Sequence, residues 1–474
     1  MEYLSKGLSI KKNIQKLIDS NYLDEALFLI NEYYKIDSND VEIYSMEAIV
    51  YILKNNLIKA EDVIKSGLEL KKDDFDLLYN LGYIYKQMGL RNEVKVIYNL
   101  CEKINTEKKI KQEIRKEKNK YYQSELKYNV ILYGESFECE KIREYFNEWN
   151  IVGICNGSNL EDSIDIRKLD SEQFDFLFVV SDENHEEFLK KNNKYLHDKH
   201  VYFYDDFKTS VIEGVDNVML EVLQNKEIEG VITGLSYAEV GIDSKDLPYD
   251  FVNIALSAQD LYYDFEFFKY IFNFNNVKKS LKYVIINLAY YSFDYDMTKT
   301  IAKYRIQRYI NYFEDYHNNK DIIGVNITKS FFEKNTKISY YDEMNKVKSN
   351  TIMKRNDENQ IYEATRNSQM NYKDTRKEYV KIFENYLSFL KDNEIKPIIV
   401  VCPASDEYRK YFNIKINRKK FYDIIFSFKN RYDFDVLDYF CDDNFKEDDF
   451  WDYSHLNGKG RKKLTGLLSN DIKW

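Results

Sequence analysis

Near the C-terminus, in the stretch "DYSHLNGKG", a carboxylate (Asp452) stands three residues before an imidazole (His455), in a chain with only five histidines. Acyl-transfer chemistry needs such a pair. A serine hydroxyl is a weak nucleophile until a base takes its proton, and the base works best when an acid orients it. Histidine suits the role because its charge changes near neutral pH. The D-x-x-H spacing lets one short turn lay the carboxylate against one ring nitrogen and leave the other free. The hydroxyl it could serve is Ser236, which directly follows the apolar run of "GVITGLSY".

Other chemistry-bearing residues have plainer readings. His317 lies among polar residues in "DYHNNKD" and reads as solvated. Cys402, in "VVCPAS", reads as the end of a buried strand. The cysteines (Cys101, Cys139, Cys155, Cys402 and Cys441) are scattered with no C-x-x-C pair, which argues against disulfides and zinc and suits a reducing, cytoplasmic setting. No Asp/His cluster has metal-ligand spacing, so neither a metal nor a bound cofactor is expected.

The elements that must position these residues fall into three predicted modules. The chain has 474 residues, 44% hydrophobic and 32% charged, with a net charge of −10. That composition supports packed domains. It argues against a nucleic-acid partner, which would call for a basic footprint. No signal-peptide pattern opens the chain, and no apolar run is long enough to span a bilayer.

Residues 1–126 carry a helical repeat. "LDEALFLI" at Leu23, "LIKAEDVI" at Leu57 and "LRNEVKVI" at Leu90 mark the same point of successive units. The first two recur at the tetratricopeptide period, with small Ala26 and Ala60 at matching places. Leu78, Leu81, Gly82 and Tyr85 fit the same pattern, the small residues letting paired helices approach. Such an array resembles tetratricopeptide repeats and would dock a protein partner or pack on the rest of the chain. The Lys- and Glu-rich stretch after it reads as a polar helix or linker.

Residues 127–226 alternate strand and helix ("NVILYGES", "FECEKIREYFNEW", "IVGIC", "FDFLFVVS"), which implies a parallel sheet. The segment resembles the small Rossmann-like domain attached to surface-polysaccharide enzymes. Where a dinucleotide fingerprint would place three glycines it has Gly134, Ser136 and Cys139. The loss of two glycines argues for a structural or regulatory fold over nucleotide binding. Residues 227–474 form the third module, with apolar strands in "GVITG", "YDFVNI", "LKYVIINL", "IKPIIVV" and "FDVLDYF" and a long charged helical segment at about 300–393. A doubly wound α/β domain follows, whose ligands bind beyond the carboxyl ends of the strands.

On the residues "GLSY", "NIALSA" and "DYSH", this module resembles an SGNH (GDSL-type) hydrolase, in particular the branch that includes alginate O-acetyltransferases and the D-alanyl transfer protein of teichoic-acid modification. The resemblance implies a three-layer α/β fold with Ser236 as nucleophile, His455 as base and Asp452 as orienting acid. It implies an oxyanion pocket made by the amides of Ser236 and Ala255, and places Asn253 and Ser257 on the substrate side. The family's G-x-N-D block is absent: after "YVIINL" the chain reads Ala289, Tyr290, Tyr291, Ser292. Tyr291 or Ser292 would have to supply the third donor, whose loss costs roughly 10²–10³-fold in turnover.

The expected function is therefore a carbohydrate esterase or O-acetyltransferase acting on a cell-surface or flagellar glycan precursor, with acetyl-CoA as a candidate donor. Hydrolysis and transfer both stay open. The competing expectation is an inactive scaffold that recruits glycan-biosynthesis partners through its helical repeats.

Overall fold

The computed structural model describes residues 2–105, 107, 109–111, 113–114, 128–146, 149–155, 163–171, 174–181, 185–192, 200–204, 207, 215–300, 302–309, 312–313, 316–321, 323–324, 326–327 and 357–474. Most of the polar linker, and residues 328–356 of the long charged segment, lie outside them. The described residues are mixed α/β, with helices and two five-stranded parallel sheets. Among the described residues no helix is long and apolar enough to cross a membrane.

Two compact units account for the described residues, drawn from 1–122, 215–295 and 347–474 in one and from 123–214 and 296–346 in the other. This differs from three successive domains at 1–126, 127–226 and 227–474. The N-terminal helices share a unit with the C-terminal sheet, and residues 296–327 belong with the middle segment.

In the first unit the helices Glu2–Asp19, Leu23–Tyr34, Val41–Leu53, Leu57–Leu70, Phe75–Met88 and Arg91–Ile104 pack each on the next. Their starts are written locally. Asp40, Asn56 and Asp74 accept amide hydrogens of the helices they precede, which satisfies donors that a helix start leaves unpaired. Ala26, Ala60, Leu78, Leu81 and Tyr85 are fully buried. A side chain at Gly82 would run into the Tyr98 ring, so glycine is what allows the two helices to close up. The array packs within its own chain. The helix Val215–Gln224 lies against Leu57–Leu70 and Arg91–Ile104, and the Tyr270 hydroxyl donates to Glu93.

The middle segment supplies β1 (Asn129–Tyr133), β2 (Asn150–Cys155), β3 (Ser163–Ile164), β4 (Phe176–Val179) and β5 (His200–Phe203), in the order β3-β2-β1-β4-β5. Cys139 is buried on this sheet with Val130, Phe146 and Phe178, and burial pushes its thiol up to about 12. Ile323 and Ile327 join the same core, and the Tyr202 hydroxyl donates to Asp321.

The second sheet holds β6 (Gly230–Thr233), β7 (Phe251–Asn253), β8 (Tyr283–Asn287), β9 (Lys396–Val401) and β10 (Asp435–Asp438), in the order β10-β9-β8-β6-β7. Strand order reverses between β6 and β8, and such a reversal opens a crevice at the carboxyl ends of parallel strands. Helix Ser236–Gly241 begins there, two residues beyond Gly234. Gly234 has φ +134°, and an added Cβ would meet Asn287 Cβ at 2.5 Å. Only glycine makes this turn without strain.

Candidate active site

The loop carrying Asp452 and His455 is folded by its own sequence. An antiparallel bridge joins Phe450 to Leu456, and the Trp451 amide donates to the His455 carbonyl at 2.7 Å. Inside the loop Asp452 Oδ1 accepts the amides of Ser454 (2.8 Å) and His455 (2.7 Å). Just beyond it, Asn457 caps the terminal helix Gly458–Asp471 through the amides of Lys459 and Gly460. A side chain at Gly460 would strike the Asp449 carbonyl, so glycine lets the helix close against the loop. The "HLNGKG" run thus fixes the histidine in place.

This loop meets the start of helix Ser236–Gly241. Ser236 Oγ lies 2.7 Å from His455 Nε2, and His455 Nδ1 lies 2.8 Å from Asp452 Oδ2 and 3.0 Å from Oδ1. An ionised carboxylate only accepts, so Nδ1 carries the hydrogen and the neutral ring turns the lone pair of Nε2 to the serine hydroxyl. The imidazole remains 20% exposed. Its environment favours charge. Burial pushes the imidazole down, but the charge and hydrogen bond of Asp452, with Glu363 and Glu239 adding to them, together outweigh it, so that it reaches about 9. Burial works against the Asp452 carboxylate too, yet the imidazole and the two amides hold it below its ordinary range.

The other residues expected to act here have partners of their own. Ser236 opens its helix, so its amide has no acceptor within that helix. The Ala255 amide, expected at the oxyanion, donates to Asn253 Oδ1 at 3.1 Å. Asn253 Nδ2 binds the carbonyls of Ala238 (3.0 Å) and Ile242 (3.1 Å), so its amide ties the serine helix to the loop after β7 and is not turned to a substrate. Ser257 is buried and donates to Glu239 Oε2 at 2.8 Å. Tyr291 and Ser292 follow β8 as expected. The Tyr291 hydroxyl is 2.8 Å from that of Tyr237, and Ser292 Oγ accepts the Ala289 amide at 2.8 Å. Asn287, at the end of β8, is buried and gives its Nδ2 to Val400 O and Cys402 Sγ. The triad residues come together, while the second and third oxyanion donors are engaged in local bonds.

Sequence reasoning missed several neighbours. Ser454 Oγ lies 3.2 Å from His455 Nδ1. The Tyr237 ring sits 5.3 Å from the imidazole, centre to centre. An apolar pocket beside them is walled by Tyr237, Tyr290, Tyr291, Tyr408, Phe412 and Phe440, among others, and Ser454 also lines it. The helix Asp357–Gln369 braces the histidine loop. Asp357 accepts the Tyr453 hydroxyl at 2.7 Å, and Gln360 accepts the Tyr453 amide at 3.1 Å. Only position in the sequence could have flagged any of these: Tyr237 stands next to Ser236, and Tyr453 and Ser454 lie between Asp452 and His455.

No protein-family model matches the chain, and no curated protein matches it by sequence.

Proposed function

We propose that this protein is a serine-dependent acyl-transfer enzyme, with Ser236 as nucleophile, His455 as general base and Asp452 as orienting acid. The observation that carries the reading is the continuous relay from Ser236 Oγ through the His455 ring to Asp452, each link 2.8 Å or shorter. As Ser236 attacks an acyl carbonyl, Nε2 takes the hydroxyl proton. The imidazolium so formed is the state that Asp452 stabilises, and it then protonates the leaving group. The open Ser236 amide at the helix start is the donor available to the developing oxyanion.

The finer reading rests on resemblance. Residues 227–474 are taken as SGNH-like, 1–126 as tetratricopeptide-like and 127–226 as Rossmann-like. The substrate is taken as a sugar ester or sugar hydroxyl of a glycan precursor, with acetyl-CoA a candidate donor in a cytoplasmic setting. The strand order supports this, because a reversal next to β6 puts the serine where a parallel sheet presents ligands.

One observation favours a second reading, that of a weak or inactive scaffold: the Ala255 amide, the Tyr291 hydroxyl and Ser292 Oγ are each engaged elsewhere. A single experiment separates the two. Purified protein is given p-nitrophenyl acetate, and nitrophenol release is compared with that of Ser236→Ala while intact-mass spectrometry seeks an acetyl group on Ser236. A Ser236-dependent burst with an acetylated serine peptide supports the enzyme; equal rates in both proteins leave the scaffold.

A further inference from the structure

The carboxylate of Glu363 is the feature near the triad that the relay does not use. It stands on the helix Asp357–Gln369, three residues after Gln360 and four before Asn367, so the three share a face. Both neighbours on that face are bound to the site's surroundings. Gln360 accepts the Tyr453 amide, and Asn367 donates to the Tyr408 hydroxyl at 3.1 Å. Glu363 therefore faces the histidine loop between two anchored residues. It is partly buried, and it forms no hydrogen bond or ion pair among the described residues. Its charge is felt at His455, Tyr237, Tyr291 and Tyr408. Burial raises its own titration above the ordinary carboxylate range.

A carboxylate taken out of water without a hydrogen-bond partner costs stability, and His455 and Arg366 act on Glu363 through charge alone. Helix packing alone would be served better by an apolar residue, so the group suits a ligand that supplies donors. The pocket of tyrosine and phenylalanine rings, reached from this helix through the bond of Asn367 to Tyr408, gives flat apolar faces. A carboxylate beside aromatic faces fits a polyhydroxylated acceptor, since an ionised carboxylate accepts two hydroxyls at once and rings cover C–H faces.

Resting on the acyl-transfer reading, we infer that Glu363 binds the hydroxyls of a polyol or sugar acceptor and sets it against the acyl-serine. In the transfer step the acceptor oxygen forms the new ester bond to the acyl carbon, and its proton passes to His455 Nε2. The bond from that carbon to Ser236 Oγ breaks, and the serine oxygen leaves with the electron pair and takes the proton from the imidazolium.

The test uses the full chain with p-nitrophenyl acetate as donor, and glycerol and ethanol as competing acceptors at equal concentration. Wild type is expected to form acetylglycerol over ethyl acetate by about tenfold or more, the worth of a charged hydrogen bond. Glu363→Gln is expected to bring that preference near unity; the readout is the ratio of the two esters, in which any change in the His455 base acts on both acceptors alike and cancels. A preference kept by Glu363→Gln, or absent from wild type despite a Ser236-dependent burst, overturns the inference and leaves the acyl-transfer reading standing. A burst undiminished in Ser236→Ala overturns both.

Discussion

Two strand-to-helix junctions in this chain are spelled almost alike. After β1 the chain runs Gly134-Glu135-Ser136 and opens a helix at the serine; after β6 it runs Gly234-Leu235-Ser236 and does the same. Each leaves a strand flanked on both sides by parallel neighbours. The two differ in what else arrives at the strand ends. At Ser236 a loop from more than two hundred residues downstream brings His455 with Asp452 behind it. Around β1 the neighbouring ends are buried Cys155 and Val179, and Cys139, three residues after Ser136, faces the apolar core. His185 of that unit stacks on Phe203, with ring centres 3.8 Å apart. A strand, glycine and serine-led helix make a platform, and a distant loop adds the imidazole and carboxylate that the proposed chemistry needs.

The largest expected effect comes from removing the proposed nucleophile. Ser236→Ala, or His455→Ala, should lower ester turnover by roughly 10⁶-fold, and the double variant should be no worse, because the two act as one unit. Nitrophenol release at fixed pH measures this; additive losses would break the comparison by showing that the two residues work independently.

Asp452→Asn should cost about 10⁴-fold, since the ring then loses its fixed tautomer. It should also move the pH profile. Only neutral imidazole can take the serine proton, so activity rises with pH as His455 deprotonates. Asp452 holds that proton and raises the imidazole to about 9, placing the wild-type limb alkaline of the ordinary 6.5. In Asp452→Asn the limb should shift to lower pH; kcat/KM against pH reads it. The linkage to stability has the same sign. The His455 contribution is full below 6.5, where the unfolded histidine titrates, and fades as pH climbs to about 9. The Asp452 contribution is present above the ordinary carboxylate value and is lost as pH falls through its lowered one.

Much of the second sheet was legible because its strands are apolar runs with short polar breaks, and the D-x-x-H turn is local enough to read directly. Helix starts at Asp40, Asn56 and Asp74 are equally local. What stayed hidden depends on contacts across long sequence distances. That residues 296–327 join the middle sheet rests on Ile323 and Ile327 entering its core and on the Tyr202–Asp321 bond, none of which leaves a periodic trace. Glu363 sits in a charged helix where its neighbours look the same, and only the face it presents sets it apart. Asn253 and Ser257 were expected beside substrate because "NIALSA" resembles a block of the SGNH family. The fold uses them to hold that loop, since buried amides and hydroxyls close on the nearest partner.

Gly234→Ala should have a smaller, structural effect. At φ +134° with Asn287 in the way, the methyl group should cost about 1–3 kcal/mol of stability. Its urea midpoint should fall, with activity per folded molecule lowered as Ser236 tilts from the ring. An unchanged midpoint would mean that the turn, and so the platform, is built differently.

The smallest effect is the sharpest test of the comparison, because the two junctions share their wording. Ser136→Ala should leave ester turnover within about twofold of wild type, an ordinary outcome for a substitution away from the reacting groups. The reason is the company the junction keeps. The place of a third glycine is held by Cys139, which packs with Val130 and Phe178, so the helix meets its sheet through a side chain and not through the close backbone approach that a pyrophosphate needs. Saturable NADH binding, followed by fluorescence, should be absent for the same reason. A turnover loss in Ser136→Ala matching that of Ser236→Ala would show that the G-x-S turn matters in its own right, and the downstream histidine loop would no longer be what distinguishes the two sheets.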